Sequence, residues 1–171
     1  MRALAWLFGL GVGTVLMAAS MAYGPHAWAA ETAINVNGEG VAIDGYDTVS
    51  YFTPVGARRG KAEFQAEWAG ALWYFATAEN LAAFESDPER YAPQFGGWCA
   101  FALSTGHYAS DVDPREAFTL RGDKLYLNWS RRVKHRWLRA VEDNIATAES
   151  NWPVVRQQLL DDEAAISRKW F

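Results

Sequence analysis

Cys99 is the residue of this chain with the widest chemical options, because it is the one cysteine among 171 residues. A single thiol excludes an intrachain disulfide, a Cys-x-x-Cys dithiol and a self-contained zinc or iron–sulfur site built from several thiolates. Three roles remain open: ligation of a soft metal ion, redox or peroxide chemistry with an external partner, and an inert place in the core. The preceding Gly96-Gly97 allows an exposed thiol, because glycine adopts backbone conformations that are closed to other residues. The apolar neighbours Trp98, Ala100 and Phe101 favour a buried one, since free cysteine is among the most buried residue types.

His107 is the second candidate ligand, since it follows Cys99 by eight residues in a polar loop. A thiolate and an imidazole together form a soft donor set that suits copper or zinc. Trp98 adjoins the thiol and is a further candidate for the same site. We therefore predict a metal site at Cys99 and His107, for a copper-like ion first and zinc second. The alternative is a solvated His107 without a ligand role.

Two carboxylates form a further candidate pair, because Asp44 and Asp47 are three residues apart. Such a pair could ligate a hard cation or act as general acid and base. Aspartate beside Gly45 is also typical of a turn, which is the simpler interpretation. The sequence contains no nucleophile elbow, phosphate loop, His-Glu-x-x-His or haem-attachment motif. The motif content therefore favours a protein that is not an enzyme, and we predict no catalytic residue.

The charge of the chain argues against nucleic acid as a partner, since the formal net charge is -4. A basic run over residues 131–136 opens a predicted helix that carries acidic residues further on. We interpret this run as a solvated face. His135 lies within it, where the surrounding cations would repel a metal ion.

The first thirty residues form an apolar segment that is almost free of ionisable side chains. Gly24-Pro25 interrupts the segment, and Ala27-Trp28-Ala29 has the small-x-small pattern of a signal-peptidase site. We predict a signal peptide over residues 1–29 and a periplasmic or secreted bacterial protein. All three methionines would leave with it, which excludes a methionine-rich copper(I) site in the exported chain. The alternative is a membrane anchor over residues 3–23, the one case in which we expect the protein to contact a membrane.

Two hairpins and a capped helix are predicted around the candidate residues. Period-two alternation over residues 63–68 and an aromatic run over residues 72–75 predict strands joined at Ala69-Gly70. Val41-Ala42-Ile43 is predicted to form a short strand. Thr77 is predicted to cap a helix that ends at Ser86, and Pro88-Glu89-Arg90-Tyr91 is predicted to add one more helical turn. Residues 117–120 and 124–128 are predicted to pair.

The longest helix is predicted to begin after Ser130 and to end at Asn151-Trp152-Pro153, with a short helix and a polar tail beyond. The fold class is therefore α+β, with small antiparallel hairpins packed against helices and a long C-terminal helix. We predict a linker over residues 30–40, a domain over residues 41–153, and a C-terminal helix and tail over residues 154–171.

The ordered landmarks of residues 43–153 are similar to those of the YHS domain family, in its exported single-domain branch, which includes selenoprotein members. The landmarks are Gly45-Tyr46-Asp47, Trp73-Tyr74-Phe75, Asn80 with Phe84, Asp87-Pro88-Glu89-Arg90-Tyr91, Gly96-Gly97-Trp98-Cys99, Asp113-Pro114, Gly122-Asp123-Lys124-Leu125-Tyr126 and Asn151-Trp152-Pro153.

The resemblance implies a different site from the one in the metal-binding branch of the family. Members fused to heavy-metal-pumping ATPases resemble cysteine-based metal-binding modules, and their cysteine positions fall at Ser50, Ala76 and Asn80 of this chain. All three thiolates are missing, although Asp47 matches the family pattern. In the exported branch, some relatives have selenocysteine at the position of Cys99, which implies chemistry or soft-metal ligation there.

Three hypotheses follow for the function. The first is an exported protein that binds a soft, copper-like ion through Cys99, and the second is a thiol-redox protein that uses the same residue. The third is an interaction module, such as an accessory subunit of an envelope assembly, with exposed aromatic residues at the interface. A buried Cys99 favours the third hypothesis, and an open thiol beside His107 favours the first.

Overall fold

The computed structural model describes residues 33–168, with side chains for residues 33–162. In this part of the chain, four strands form two separate antiparallel sheets of two strands each, and five α-helices surround them. The predicted α+β class is confirmed. The predicted signal segment and the last residues of the predicted tail lie outside the described residues.

The first hairpin consists of β1 (Lys61–Trp68) and β2 (Ala71–Phe75). Ala69 and Gly70 both have positive φ, 54° and 76°, as the tight turns that suit the right-handed twist of paired strands require. The apolar side chains of β2 alternate into the core, and the predicted hairpin is confirmed. A residue with a side chain could not replace Gly60, just before β1, because a Cβ there would lie 2.4 Å from the backbone of Tyr74.

Two short helices follow the first hairpin, and each begins at the predicted side-chain cap or turn. α1 (Ala78–Ser86) starts where the hydroxyl of Thr77 accepts a hydrogen bond from the N–H of Asn80. α2 (Pro88–Tyr91) starts where the carboxylate of Asp87 accepts one from the N–H of Arg90. Both helices were predicted from these capping and proline signals.

The second hairpin packs beside the loop that carries Cys99. α3 (Ala100–Ser104) precedes β3 (Phe118–Arg121) and β4 (Lys124–Leu127). Strand pairing is regular from Phe118 with Leu127 to Arg121 with Lys124, as predicted. The Val41–Ile43 segment differs from its prediction as a strand: it makes isolated bridges and runs into a 3-10 turn at Ile43–Gly45.

The long helical region begins after the predicted cap Ser130 but differs from its prediction in the middle and at its end. The structure has α4 (Arg131–Leu138) and then α5 (Val141–Arg168), so the predicted single helix from Ser130 is divided at residues 139–140. The amide of Asn144 donates to the carbonyl of Trp137 at 2.8 Å and satisfies the end of α4.

The predicted end of the helix at Pro153 is wrong, because α5 continues through it to Arg168. Proline removes one backbone donor, but the helix is held on both sides of it. Asn151 donates to the carbonyl of Leu103, while Val155 and Leu159 are buried. Tertiary packing therefore outweighs the local signal to stop. No helix within residues 33–168 is long and apolar enough to cross a membrane.

The buried apolar residues form two clusters. Cluster 1 lies around the first hairpin and contains Ile34, Tyr51, Trp73, Phe75 and Phe84 among others. Cluster 2 lies between the helices and the second hairpin and contains Phe95, Leu103, Tyr126, Trp137, Val155 and Leu159 among others. The loop from residue 92 to residue 100 joins the two clusters, and Cys99 is part of this loop.

Candidate functional site

Asp47 carries a fully buried carboxylate. Its Oδ1 accepts hydrogen bonds from the backbone N–H groups of Val49 at 2.9 Å and Ser50 at 3.2 Å. Its Oδ2 accepts from the backbone N–H of Ala76 at 2.9 Å and from the side-chain amide of Asn80 at 2.6 Å. Four neutral donors thus surround the charge, and no basic side chain of residues 33–162 forms an ion pair with it. We call Asp47 and these four residues the Asp47 centre.

The Asp47 centre joins the three positions at which the family resemblance expects thiolates. Ser50 lies 26 residues before Ala76, and Asn80 follows Ala76 by four, yet each of the three donates a hydrogen bond to the same carboxylate. The convergence of these positions was implied by the resemblance. The resemblance did not imply that the carboxylate of an aspartate, instead of a thiolate-bound metal, lies between them.

Tyr51 extends the buried polar region next to Asp47. Its side chain is 2% exposed, and its hydroxyl donates to the carbonyl of Pro114 at 2.7 Å. Burial raises the pKa of this phenol, and the neighbouring Tyr46 and Asp47 act in the same direction. The hydroxyl therefore stays protonated and remains a hydrogen-bond donor at physiological pH.

Cys99 is buried, with 2% of its surface exposed. It precedes α3, and its backbone N–H donates to the carbonyl of Ala109 at 3.1 Å. Its thiol lies 3.9 Å from the side-chain oxygen of Asn128, which is fully buried. Of the two placements that the sequence leaves open, the structure has the buried one: Gly96 and Gly97 have positive φ, 62° and 84°, and their turn leads Cys99 inward.

Asn128 is a buried residue that the sequence analysis missed. Its Oδ1 accepts from the backbone N–H of Phe101 at 3.1 Å, which fixes the orientation of the amide. Its Nδ2 has no hydrogen-bond partner in the described structure. No local signal indicated this role, because Asn128 reaches Cys99 only through the pairing of β4 with the loop before α3.

His107 is exposed and turned toward its own loop. Its Nδ1 lies 2.9 Å from the carbonyl oxygen of Thr105. Trp98 is half-buried, and its indole N–H donates to the carbonyl of Ala33 at 2.8 Å. Within residues 33–162, no group of three or more His, Cys, Asp or Glu side chains is placed to hold a metal ion.

Asp44 and Asp47 engage different partners. The carboxylate of Asp44 is exposed and pairs with the guanidinium of Arg59 at 2.9 Å. That guanidinium also lies over the ring of Tyr46, 4.6 Å from its centroid. Asp44 belongs to the 3-10 turn at Ile43–Gly45, in agreement with the simpler interpretation of this pair.

A cleft of about 440 Å³ lies between the two apolar clusters. Its aromatic walls include Trp68 from β1 and Trp152 from α5, and Glu89 and Arg156 supply its charged side chains. The apolar remainder of the lining includes Ile34, Ala92, Pro93 and Phe95. We call this the aromatic cleft. No local sequence pattern indicates this cleft, because its two tryptophans are 84 residues apart.

The comparisons with known proteins identify one part of the chain. No curated protein and no solved structure matches the sequence significantly. Residues 57–95 match the family model of the YHS domain. The matched segment contains the first hairpin, α1 and α2, and with them Ala76 and Asn80 of the Asp47 centre and one side of the aromatic cleft. Residues 57–95 are therefore similar to a YHS domain, a family associated with metal binding.

Proposed function

We propose that the protein is a non-catalytic binding module in which the carboxylate of Asp47, an aspartate that the family pattern shares, makes through hydrogen bonds the connections that a bound metal ion makes in the thiolate-containing members. The observation that carries this proposal is the set of four hydrogen bonds to Asp47, three of them from the positions where the resemblance expects thiolates. The carboxylate joins these segments as a bound metal would.

The Asp47 centre is poorly suited to a cation. Both oxygens already accept two hydrogen bonds, and the positive ends of the donor dipoles point at the space that a cation would need. A cation would have to displace two backbone N–H groups or one backbone and one amide donor, and would leave them buried without acceptors.

The surroundings of Cys99 support a binding role over a redox role. A thiol attacks as the thiolate, and a reactive cysteine needs access to its oxidant or disulfide partner. Cys99 is 2% exposed and its thiol lies against the side-chain oxygen of Asn128, so an external oxidant or disulfide partner has no access to the sulfur.

The test of the proposal is the metal dependence of folding. The protein, expressed with its own N-terminal segment and purified from the periplasm, is melted before and after dialysis against EDTA and a copper(I) chelator. We expect the same melting temperature in both states and less than one tenth of an equivalent of bound metal by elemental analysis. A stoichiometric metal whose removal lowers the melting temperature would contradict the proposal.

Soft-metal binding through Cys99 is the second candidate, and the path of the loop favours it. The N–H of Cys99 bonds to Ala109 and the N–H of His107 bonds to Ala102, so the segment with His107 folds back along the start of α3. Titration with copper(I) and zinc(II) tests this candidate, with Cys99→Ser and His107→Ala as variants and His135→Ala as the matched control. Binding that is unchanged in Cys99→Ser would eliminate Cys99 as ligand.

We also propose that the module works after export, facing the bacterial periplasm, with an envelope protein as a partner. The support is the signal-peptide pattern that ends at Ala27-Trp28-Ala29. N-terminal sequencing of the protein from the native envelope separates cleavage near Ala30 from retention of residues 3–23 as an anchor.

A further inference from the structure

We propose that the aromatic cleft binds a small zwitterion that carries an alkylated ammonium group at one end and a carboxylate or phosphate at the other. This inference names a ligand class for the binding module and rests on the proposed function. The cleft lies apart from the Asp47 centre and from Cys99, and neither contributes a residue to its lining.

Two tryptophans give the cleft an apolar and electron-rich wall. The ring of Trp68 contacts Trp73 and Phe84 edge to face, with centroids 5.8 Å apart in both cases, and Trp152 lies 5.8 Å from Phe95. Both tryptophans are half-buried, so each keeps part of its surface on the cleft. An alkylated ammonium group binds well to such a surface, because its methyl groups are apolar and its charge interacts with the ring quadrupole.

Two other tryptophans use their indole N–H groups within the fold, and a third, the fully buried Trp137, leaves its indole N–H without a partner. Trp73 donates to the carbonyl of Trp68 at 3.0 Å, and Trp98 donates to Ala33 at 2.8 Å. The indole nitrogens of Trp68 and Trp152 make no hydrogen bond within the described structure. Two donors thus remain available to a ligand that enters the cleft.

Glu89 and Arg156 place one charge of each sign at the cleft, and neither forms an ion pair within residues 33–162. Two other charged residues of α5 are paired: Glu142 with Arg121 at 2.5 Å and Glu149 with Lys124 at 3.4 Å. Arg156 is half-buried, where a guanidinium without a carboxylate partner is costly. A ligand carboxylate or phosphate would supply that partner in bidentate geometry.

The combination of charges selects a zwitterion. A purely anionic ligand would be repelled by Glu89, and a purely cationic one would be repelled by Arg156. A ligand with both charges satisfies the two residues at once and packs its short aliphatic body on Ile34, Ala92 and Pro93. The volume of about 440 Å³ lies within the range of small-molecule sites.

Calorimetric titration with four probes tests the proposal. Glycine betaine and phosphocholine carry both charges, choline carries the positive end alone, and propionate the negative end alone. We expect saturable binding of at least one zwitterion and at least about tenfold weaker binding of choline and propionate, because each lacks one charge-assisted contact. Binding of choline as tight as that of both zwitterions, or no saturable binding of either zwitterion at millimolar concentration, would overturn the proposal.

Charge-neutralising variants locate the site. Arg156→Gln is expected to weaken zwitterion binding about tenfold or more and to bring its affinity to that of choline. Glu89→Gln is expected to weaken zwitterions and choline together. The matched controls are Arg132→Gln and Glu85→Gln, two exposed residues outside the cleft, which should bind like the wild type. Unchanged affinity in both Arg156→Gln and Glu89→Gln would refute the assignment to this cleft.

The source of the zwitterion is decided by a sedimentation assay with phosphatidylcholine vesicles. Co-sedimentation that Arg156→Gln abolishes identifies a lipid headgroup, whereas binding of the soluble probes alone identifies a free solute; both outcomes support the shared chemistry. None of these assays involves a metal. Their failure would contradict the zwitterion site and would leave the proposed metal-independent fold untouched, because the melting experiment before and after dialysis tests that fold separately.

Discussion

Replacing Asp47 by asparagine is the sharpest test of the Asp47 centre, because it changes one oxygen into an NH₂ group at constant size. If the remaining oxygen keeps the N–H groups of Val49 and Ser50, the new NH₂ faces the N–H of Ala76 and the amide of Asn80. The amide of Asn80 can rotate and accept. The backbone N–H of Ala76 cannot, and it is left buried opposite another donor.

The expected loss of stability has two parts: the lost hydrogen bonds to a charged acceptor and the unsatisfied N–H of Ala76. A hydrogen bond to a charged acceptor contributes about 1.5–3 kcal/mol, and an unsatisfied buried N–H costs about 1–3 kcal/mol. We expect Asp47→Asn to lower the free energy of unfolding by about 3–5 kcal/mol, which is a large part of the stability of an ordinary domain. At about 3–5 °C per kcal/mol for a chain of this size, the melting temperature falls by about 10–20 °C.

Urea unfolding followed by tryptophan fluorescence measures the change, and the m-value checks that the unfolded state is the same. Asp44→Asn is the matched control, since it removes an exposed ion pair with Arg59 that is worth at most about 1 kcal/mol. If Asp47→Asn unfolds within about 1 kcal/mol of the wild type at equal m-value, four hydrogen bonds to the carboxylate do not hold this region together.

Three further predictions concern other parts of the core. Tyr51→Phe leaves the carbonyl of Pro114 unsatisfied and should cost about 1–2 kcal/mol at pH 7. Because burial raises the pKa of Tyr51, its contribution to stability is complete below about pH 10 and is lost as the pH rises further. The wild type should therefore lose more stability above pH 10 than Tyr51→Phe does, and urea unfolding at several pH values measures this difference. The thiol of Cys99 should resist alkylation by iodoacetamide in the native protein and react once urea unfolds it; fast labelling of the native state by mass spectrometry would contradict its burial. Gly60→Ala should destabilise by about 1–3 kcal/mol through overlap with the backbone of Tyr74, while Gly38→Ala, in open space, should not; equal melting temperatures would refute the overlap.

The elements that could be predicted are those whose signals are local. Thr77 and Asp87 cap the helices that follow them, and the alternation before Ala69-Gly70 forms the predicted hairpin, because caps and turns act within a few residues. Pro153 is the counterexample. Its local signal to end the helix is overridden by Asn151 and Val155, whose contacts with distant residues are not visible in the neighbouring sequence.

The candidate site was harder to predict because it depends on how distant segments meet. The type of Cys99 limits its chemistry, but its burial depends on Asn128 and on the strand pairing that brings the two together. The aromatic cleft depends in the same way on α5 lying across the loop at residues 92–96. Residue types therefore indicate which chemistries are available, and tertiary packing decides which of them is accessible.

The Asp47 centre shows how these segments can be connected without thiolates. A metal ion bound by thiolates joins segments that are distant in sequence, and its removal would normally leave them free. Here Oδ1 holds the turn at Val49 and Ser50, while Oδ2 holds the end of β2 at Ala76 and the first turn of α1 at Asn80. One buried charge with four neutral donors therefore makes the same connections with hydrogen bonds. This leaves the exterior of the domain, above all the aromatic cleft beside α5, as the part on which a binding function can be built.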